Sequence, residues 1–378
     1  MKSELSVIEL TQKLLAFDTI NPPGNEQDCL LWLSEYLRQH GFEVAEHPFG
    51  EKRMNIIASI RGNSSGKPLA FSGHLDTVPL GNAPWQYDPF GRDVEKGRLY
   101  GRGSSDMKAA VAAFIVACIN EYESCKTGSG VVLLLTGGEE TGCDGARALI
   151  QNAEIELPLP SAVIVGEATA NYPVIGHKGA LWLRCETHGK TAHGSMPELG
   201  INAIYLAVDA MGKIRSFELG PAHPLMKKPT LNVGVIRGGL NINSVPDRAS
   251  FDVDMRTDPT LNHSDIRKKL QHHLSDAVTI STLVDLPAVL TDRLHGWVQQ
   301  TIALCQPYHS TPIEPRIVPY FTDAALLLAA LGNPPCVILG PGEPSMAHQT
   351  DEYCEVQRLE QCLTIYQRLV RATTTPKS

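Results

Sequence analysis

The chain has 378 residues, with 33 Lys+Arg against 41 Asp+Glu for a net charge of −8, and 43% of its residues are hydrophobic against 20% charged. Such a length supports two or three domains with full cores, and the composition excludes a disordered chain. The acidic balance argues against broad nucleic-acid or anionic-membrane binding, and no apolar run approaches the ~20 residues of a membrane span. The nine cysteines are scattered with no Cys-x-x-Cys pair, and an amphipathic pattern starts at once, so a cytoplasmic chain with reduced thiols and no signal peptide is expected.

Apolar spacing predicts helices at Ser3–Phe17 and Glu26–Gln39, separated by the turn Asn21-Pro22-Pro23-Gly24. Strand-like runs follow at Asn55–Arg61, Pro68–Gly73, Val131–Thr136, Ala162–Val165 and Cys336–Leu339. The last four are short, almost wholly apolar and followed by Gly or polar clusters, which suits a sheet covered by helices on both faces. Further helices are predicted near Ser105–Glu123, Asp144–Asn152, Leu294–Cys305, Thr322–Leu331 and Val356–Arg371. Gly62-Asn63-Ser64-Ser65-Gly66 matches the G-x-S-x-G nucleophile elbow but joins two strands, so a plain hairpin loop is expected there.

Between Tyr172 and Leu286 the rhythm changes to strand (Lys178–Thr187), helix (Ile201–Ile214), strand (Thr230–Ile236), strand (Ala249–Arg256), helix (Ser264–Leu274), strand (Val278–Leu283). That β-α-β-β-α-β order is the split pattern of a ferredoxin-like sandwich. The expected organisation is therefore α/β, a mixed twisted sheet in residues 1–173 and 287–378 with a ferredoxin-like α+β domain, 174–286, inserted into it.

Four buried strands end in metal-ligating residue types: His74 with Asp76, Glu139 with Glu140, Glu167, and His348. In open α/β sheets the ligand crevice lies at the carboxyl ends of the strands, so all four would reach one edge. Asp106 adds a fifth contribution, from the Gly-rich stretch before a long helix. Two imidazoles and three carboxylates suit a pair of divalent ions, Zn²⁺ first, with Mn²⁺ or Co²⁺ tolerable, and one carboxylate must bridge them. Neighbouring side chains point apart, so one of Glu139 and Glu140 binds metal while the other faces substrate as a proton carrier. Asp76 is spaced to orient the His74 imidazole.

Ser72-Gly73-His74-Leu75-Asp76-Thr77-Val78-Pro79, Tyr100-Gly101-Arg102-Gly103-Ser104-Ser105-Asp106-Met107-Lys108, Thr136-Gly137-Gly138-Glu139-Glu140, Gly166-Glu167, Gly340-Pro341-Gly342 and Ala347-His348-Gln349-Thr350-Asp351-Glu352 appear in that order. This series resembles the dinuclear zinc deacylases and exopeptidases that include acetylornithine deacetylase, succinyl-diaminopimelate desuccinylase, aminoacylase and glutamate carboxypeptidase. The resemblance implies His74, Asp106 and Glu167 on one metal, and Asp106, Glu140 and His348 on the other, with Glu139 as general base and Asp76 as partner of His74. It implies that the inserted domain is a lid that also forms a homodimer. There, Thr191-Ala192-His193-Gly194-Ser195 resembles the loop whose histidine, here His193, donates to the oxyanion. Asn243 and Arg256 match lid residues that hold the substrate carboxylate.

The expected function is metal-dependent removal of an acyl group from an N-acyl amino acid, acetylornithine first. A carboxypeptidase or dipeptidase, or succinyl-diaminopimelate desuccinylase, on the same site is the alternative. The desuccinylase Arg-Arg-Gly-Ser run is replaced here by Gly176-His177-Lys178-Gly179-Ala180, which is closer to acetylornithine deacetylase, while Asp323 stands where that enzyme commonly carries Glu. A non-catalytic binding protein keeping only the fold would be expected to lack a ligand or the base, and none is missing.

Overall fold

A computed structural model describes residues 5–274 and 276–374. The chain divides into two compact units. One comprises the chain up to Gly176, Thr291–Arg316 and the chain from Thr322; the other comprises His177–Leu290 and Ile317–Phe321.

The main elements up to the second unit are α1 (Val7–Leu15), α2 (Glu26–Gln39), β1 (Glu43–Gly50), β2 (Arg53–Arg61), β3 (Leu69–His74), α3 (Lys108–Asn120), β4 (Gly130–Thr136), α4 (Asp144–Gln151) and β5 (Ala162–Val165). The second unit contributes β6 (Gly179–His188), α5 (Ala203–Arg215), β7 (Thr230–Gly238), β8 (Arg248–Thr257), α6 (His263–Leu274) and β9 (Val278–Leu286). The chain then adds α7 (Gly296–Cys305), α8 (Ala324–Ala330), β10 (Cys336–Ile338) and α9 (Val356–Thr374).

The first unit is built on a six-stranded mixed sheet in the order β1-β2-β4-β3-β5-β10. Strands β4, β3, β5 and β10 run parallel to one another; β2 is antiparallel to β4, and β1 to β2. Every residue of those four parallel strands is buried, on both sides of the pleat, which explains why each reads as a continuous apolar run. Helices α1, α3 and α9 pack on one another, α2 packs on β1 and β2, and α4 packs on α8.

Helix α3 is apolar all round and buried from Lys108 to Cys118. It crosses the sheet so closely that a Cβ on Gly73 or on Gly166 would come within 2.8 Å of Met107 Cε. The glycines behind His74 and Glu167 are thus the seat of the residue that follows Asp106. At the same end, Lys108 Nζ donates to the carbonyls of Leu14 and Phe17, at 3.1 and 3.0 Å, where α1 finishes.

Three expectations change. Gly62–Gly66 is no hairpin loop, because β4 lies between β2 and β3 and the connection must pass over it. Helix α3 starts at Lys108 instead of Ser105, since Ser105 and Asp106 give their backbone N–H groups to the Glu352 carboxylate. Strand β1 escapes an apolar-run search because it is an edge strand with no buried residue.

The second unit is an antiparallel sheet in the order β7-β8-β6-β9 with α5 and α6 packed against it. In order of appearance its strands lie 2-3-1-4, the ferredoxin-like arrangement. Burial along β8 alternates strictly after its first residue, and the covered face carries Phe251, Val253 and Met255 against Ala203, Ala207, Leu270 and Ile266. Ile317–Phe321 joins this unit by backbone pairing: the Lys178 N–H donates to the Val318 carbonyl at 3.1 Å. That return of the chain has no counterpart in the sequence expectation.

Candidate metal centre

The four parallel strands are neighbours in the sheet, so the residues that follow them converge. His74 is the last residue of β3, paired in register with Thr136 at the end of β4. After β4 the chain turns through Gly137 and Gly138 into Glu139 and Glu140, with Gly138 at φ +76°, in the left-handed region. Glu167 follows β5 by two residues, and His348 lies beyond β10 after a 3₁₀ turn, Pro344–Met346.

Asp106 sits at the middle of this group. Its Oδ1 is 3.3 Å from His74 Nε2, and its Oδ2 is 3.4 Å from His348 Nε2. His74 Nε2 is also 3.9 Å from Glu167 Oε1, and His348 Nε2 is 3.1 Å from Glu140 Oε2. Two three-residue groups result, His74–Asp106–Glu167 and Asp106–Glu140–His348, each with its candidate ligand atoms within 4.8 Å of one another. Asp106 belongs to both. All but His348 are buried or half-buried.

The electrostatics of this cluster call for cations. Burial, reinforced by the Asp106 and Glu140 charges, pushes the Glu167 carboxyl well above its usual range despite His74 nearby. Burial likewise raises Glu139 strongly, with Glu167, Glu140 and Asp323 adding repulsion against the pull of His74. Burial and Asp106 raise Glu140. Only Asp106 is held far down, because the imidazoles of His348 and His74 outweigh its burial. Glu140 Oε1 is buried with no hydrogen-bond partner, an orphaned acceptor beside the second group. A carboxylate-rich pocket with an unmatched oxygen fits divalent ions.

Asp76 is tied in differently from its spacing alone. His74 Nδ1 makes its shorter contact, 2.9 Å, with the Asp76 carbonyl oxygen, and Asp76 Oδ1 lies 3.5 Å away. The carboxylate accepts the backbone N–H groups of Glu139 and Glu140, at 3.1 and 3.2 Å, and the Asn21 amide at 2.9 Å. One residue therefore orients the imidazole and anchors the Glu139–Glu140 turn. The sequence marks Asn21 only as part of a turn, an amide directly before Pro-Pro, and nothing local points to its contact with Asp76. Behind the turn, Asp323 is buried, accepts the Thr136 hydroxyl at 2.5 Å, and is pushed up to about 6 by its burial.

The chain matches peptidase family M20/M25/M40 over residues 70–372. It belongs to that family. Relatives include a probable succinyl-diaminopimelate desuccinylase of Staphylococcus epidermidis, 28% identical over 98% of each chain. An acetylornithine deacetylase of Shigella sonnei is 30% identical over 94% of this chain and 95% of its own. Among solved structures, an M20-family metallo-carboxypeptidase of Sulfolobus solfataricus superposes with a TM-score of 0.78 at 19% identity, over 97% of this chain and 99% of that one. A dinuclear metal-binding M20 peptidase of Bacillus subtilis gives 0.69 at 14% identity, over 97% of each. This M20 protein is accordingly a hydrolase of amide or peptide bonds. Among the described residues no helix is long and apolar enough to cross a membrane.

The remaining candidate residues lie in the second unit of the M20 chain. His193 is exposed, pairs with Ser244 in a two-stranded ribbon, and has its Nδ1 2.7 Å from Ser195 Oγ. The Gly194 N–H donates to the Asn243 carbonyl at 2.8 Å, so His193 and Asn243 are close together. Arg256 is elsewhere. Asn243 precedes β8 and Arg256 is its penultimate residue, which at ~3.3 Å per residue puts them at opposite ends of that strand. Arg256 rests near the rings of Trp182 and Phe321, 5.9 and 5.8 Å from its guanidinium carbon, with Nε 2.9 Å from Asp254 Oδ1. Among the described residues its ion pair with Asp254 runs through Nε.

Proposed function

We propose that this M20 protein is an N-acyl-amino-acid deacylase working with two divalent ions, zinc first and cobalt or manganese compatible by ligand type, with N-acetylornithine the first substrate to test. The observation that carries the reading is Asp106, whose two oxygens face different imidazoles, each with a second carboxylate beside it. His74, Asp106 and Glu167 would hold one ion, Asp106, Glu140 and His348 the other. Ions held there would supply carbonyl polarisation and a more acidic water. Glu139 would take a proton from a water so activated and return it to the leaving amine.

His193 donates to the developing oxyanion and Asn243 and Arg256 hold the substrate carboxylate, Arg256 by its planar fork. Because His193 and Asn243 lie at the other end of β8 from Arg256, a pocket using all three draws them from two subunits. A homodimer through the second unit is supported by its outer strand β7, which exposes Val235 and Ile236, and by Tyr205 and Val208 on α5. Sedimentation velocity on Tyr205→Asp/Ile236→Lys should show a monomer where the wild type is a dimer. We assign the protein to the cytoplasm, since all nine cysteines are buried free thiols.

The deciding experiment is a hydrolysis screen with Zn²⁺ over N-acetyl, N-succinyl and N-formyl amino acids together with dipeptides. Turnover of N-acetyl substrates above the rest supports the deacetylase. Preference for N-succinyl substrates replaces it with the desuccinylase reading, the name the Staphylococcus relative carries, and preference for dipeptides with the carboxypeptidase or dipeptidase reading.

A further inference from the structure

Arg102 and Glu352 form an ion pair with side chains 1% and 0% exposed, at 2.5 Å. Glu352 has no oxygen free for a metal. Its Oε1 accepts the backbone N–H groups of Ser105 and Asp106, at 2.8 and 3.0 Å, and its Oε2 accepts Gly103 N–H at 3.0 Å as well as Arg102. The carboxylate therefore fixes the backbone on which Asp106 is carried.

Arg102 works on the opposite loop. One Nη donates to the Gln349 carbonyl at 3.2 Å, and the other to Pro79 at 3.2 Å and, at the limit of 3.5 Å, to the His348 carbonyl itself. His348 has φ +64°, a left-handed conformation costly for a residue with a Cβ, so it persists only where its surroundings over-determine it. The two loops are joined again by Ser105 Oγ, which accepts the Glu343 N–H at 2.9 Å and donates to the Tyr353 carbonyl at 2.7 Å. Gly342 meets the same loop so closely that a Cβ would be 2.1 Å from the Ser105 carbonyl oxygen.

We infer that Arg102 and Glu352 are positioning residues for the metal site, a buried clamp that holds the Asp106 and His348 loops in register before any ion arrives. A buried ion pair is a weak source of net stability, because desolvation offsets most of its attraction. What this pair adds is geometric: Glu352 sets the residue shared by both groups, and Arg102 sets the one that belongs to the second group only. The two halves of the clamp therefore have different signatures. Losing the Arg102 fork should weaken the Asp106–Glu140–His348 ion alone, whereas shortening Glu352 should weaken both.

The inference rests on the ligand assignment proposed above, and the test keeps the two apart. Zn²⁺ alone is titrated into metal-free protein against a chromophoric chelator, for wild type, Arg102→Lys and Glu352→Asp. Wild type is expected to bind two ions. Arg102→Lys, which keeps the charge without the fork, should bind one of the two ions about 10–100-fold less tightly and the other within about threefold of wild type, in the range of losses seen for groups that orient ligands. Glu352→Asp should weaken both. Wild type that binds no Zn²⁺ overturns the ligand assignment and the clamp with it. Wild type that binds two, with both variants unchanged or Arg102→Lys weakening both equally, overturns the clamp alone. Hydrogen exchange on the metal-free wild type needs no variant to fold: the amides of Gly103, Ser105 and Asp106 should be protected like the core, and rapid exchange there overturns the inference.

Discussion

The Asp76 carboxylate is divided among three donors, the Asn21 amide and the backbone N–H groups of Glu139 and Glu140. An Asp76→Asn side chain is isosteric but puts an NH2 where one of the two accepting oxygens was, against the Glu139 N–H or against the Glu140 N–H and the Asn21 amide, so the Glu139–Glu140 turn loses an anchor either way. Turnover and zinc affinity should each fall about 10–100-fold, read by steady-state assay and chelator competition, with the fold intact by circular dichroism. Glu139→Ala is expected to behave differently: kcat about 10²–10⁴-fold lower, with zinc content near wild type by elemental analysis. Substantial residual activity there would remove Glu139 as the base. His74, Glu139, Glu140 and Glu167 stand out as candidates by reading alone because each follows an apolar run closed by glycine; behind His74 and Glu167 the glycine makes way for Met107, and before Glu139 Gly138 takes the left-handed turn. The roles of Asn21 and Glu352 could not be found that way. Their partners, Asp76 and the Gly103–Asp106 backbone, are brought to them only by the finished sheet.

Strands and helices divide along the same line. The four parallel strands are apolar on both faces and announce themselves; β1, half-exposed at the sheet edge, does not. In the second unit α6 is tied to the sheet by a polar chain: His263 Nδ1 donates to Asp285 Oδ1 at 2.6 Å, His263 Nε2 lies 2.8 Å from Thr257 Oγ1, and Arg267 pairs with the second Asp285 oxygen. An ionised carboxylate can only accept, so the proton of that imidazole sits on Nδ1. The hydrogen bond from His263, with Arg267 behind it, holds Asp285 down to about 2 against its partial burial. Folded below the unfolded value of about 3.9, it contributes stability that is fully present above pH ~4 and lost as the pH falls through ~2. Because the side chain is 36% exposed, solvent screening leaves about 1 kcal/mol, so Asp285→Asn should lower the melting temperature at pH 7 by a few degrees. The deficit should shrink toward zero between pH 4 and 2; a deficit that persists unchanged into acid contradicts the ionic assignment.

Across the whole chain, the β-α-β-β-α-β rhythm is readable because its two central strands, β6 and β8, alternate along most of their length and both helices bury one face, whereas the return of Ile317–Phe321 to the second unit rests on backbone pairing that leaves no side-chain pattern. The candidate ligands are supplied at positions 74, 106, 140, 167 and 348, each separated from the next by at least one helix or strand. The five candidate ligands are therefore brought together only by the native fold, and an ion held by all of them binds the native state in preference to the unfolded chain. Mass action then makes free metal a thermodynamic brake on unfolding, worth about 2.7 kcal/mol per site at a hundredfold excess over Kd. The melting temperature should climb with the logarithm of free zinc and fall back on adding a chelator, followed by calorimetry. Loading and folding are in this way linked, and a shortage of the ion would narrow the protein's margin of stability as well as empty its site.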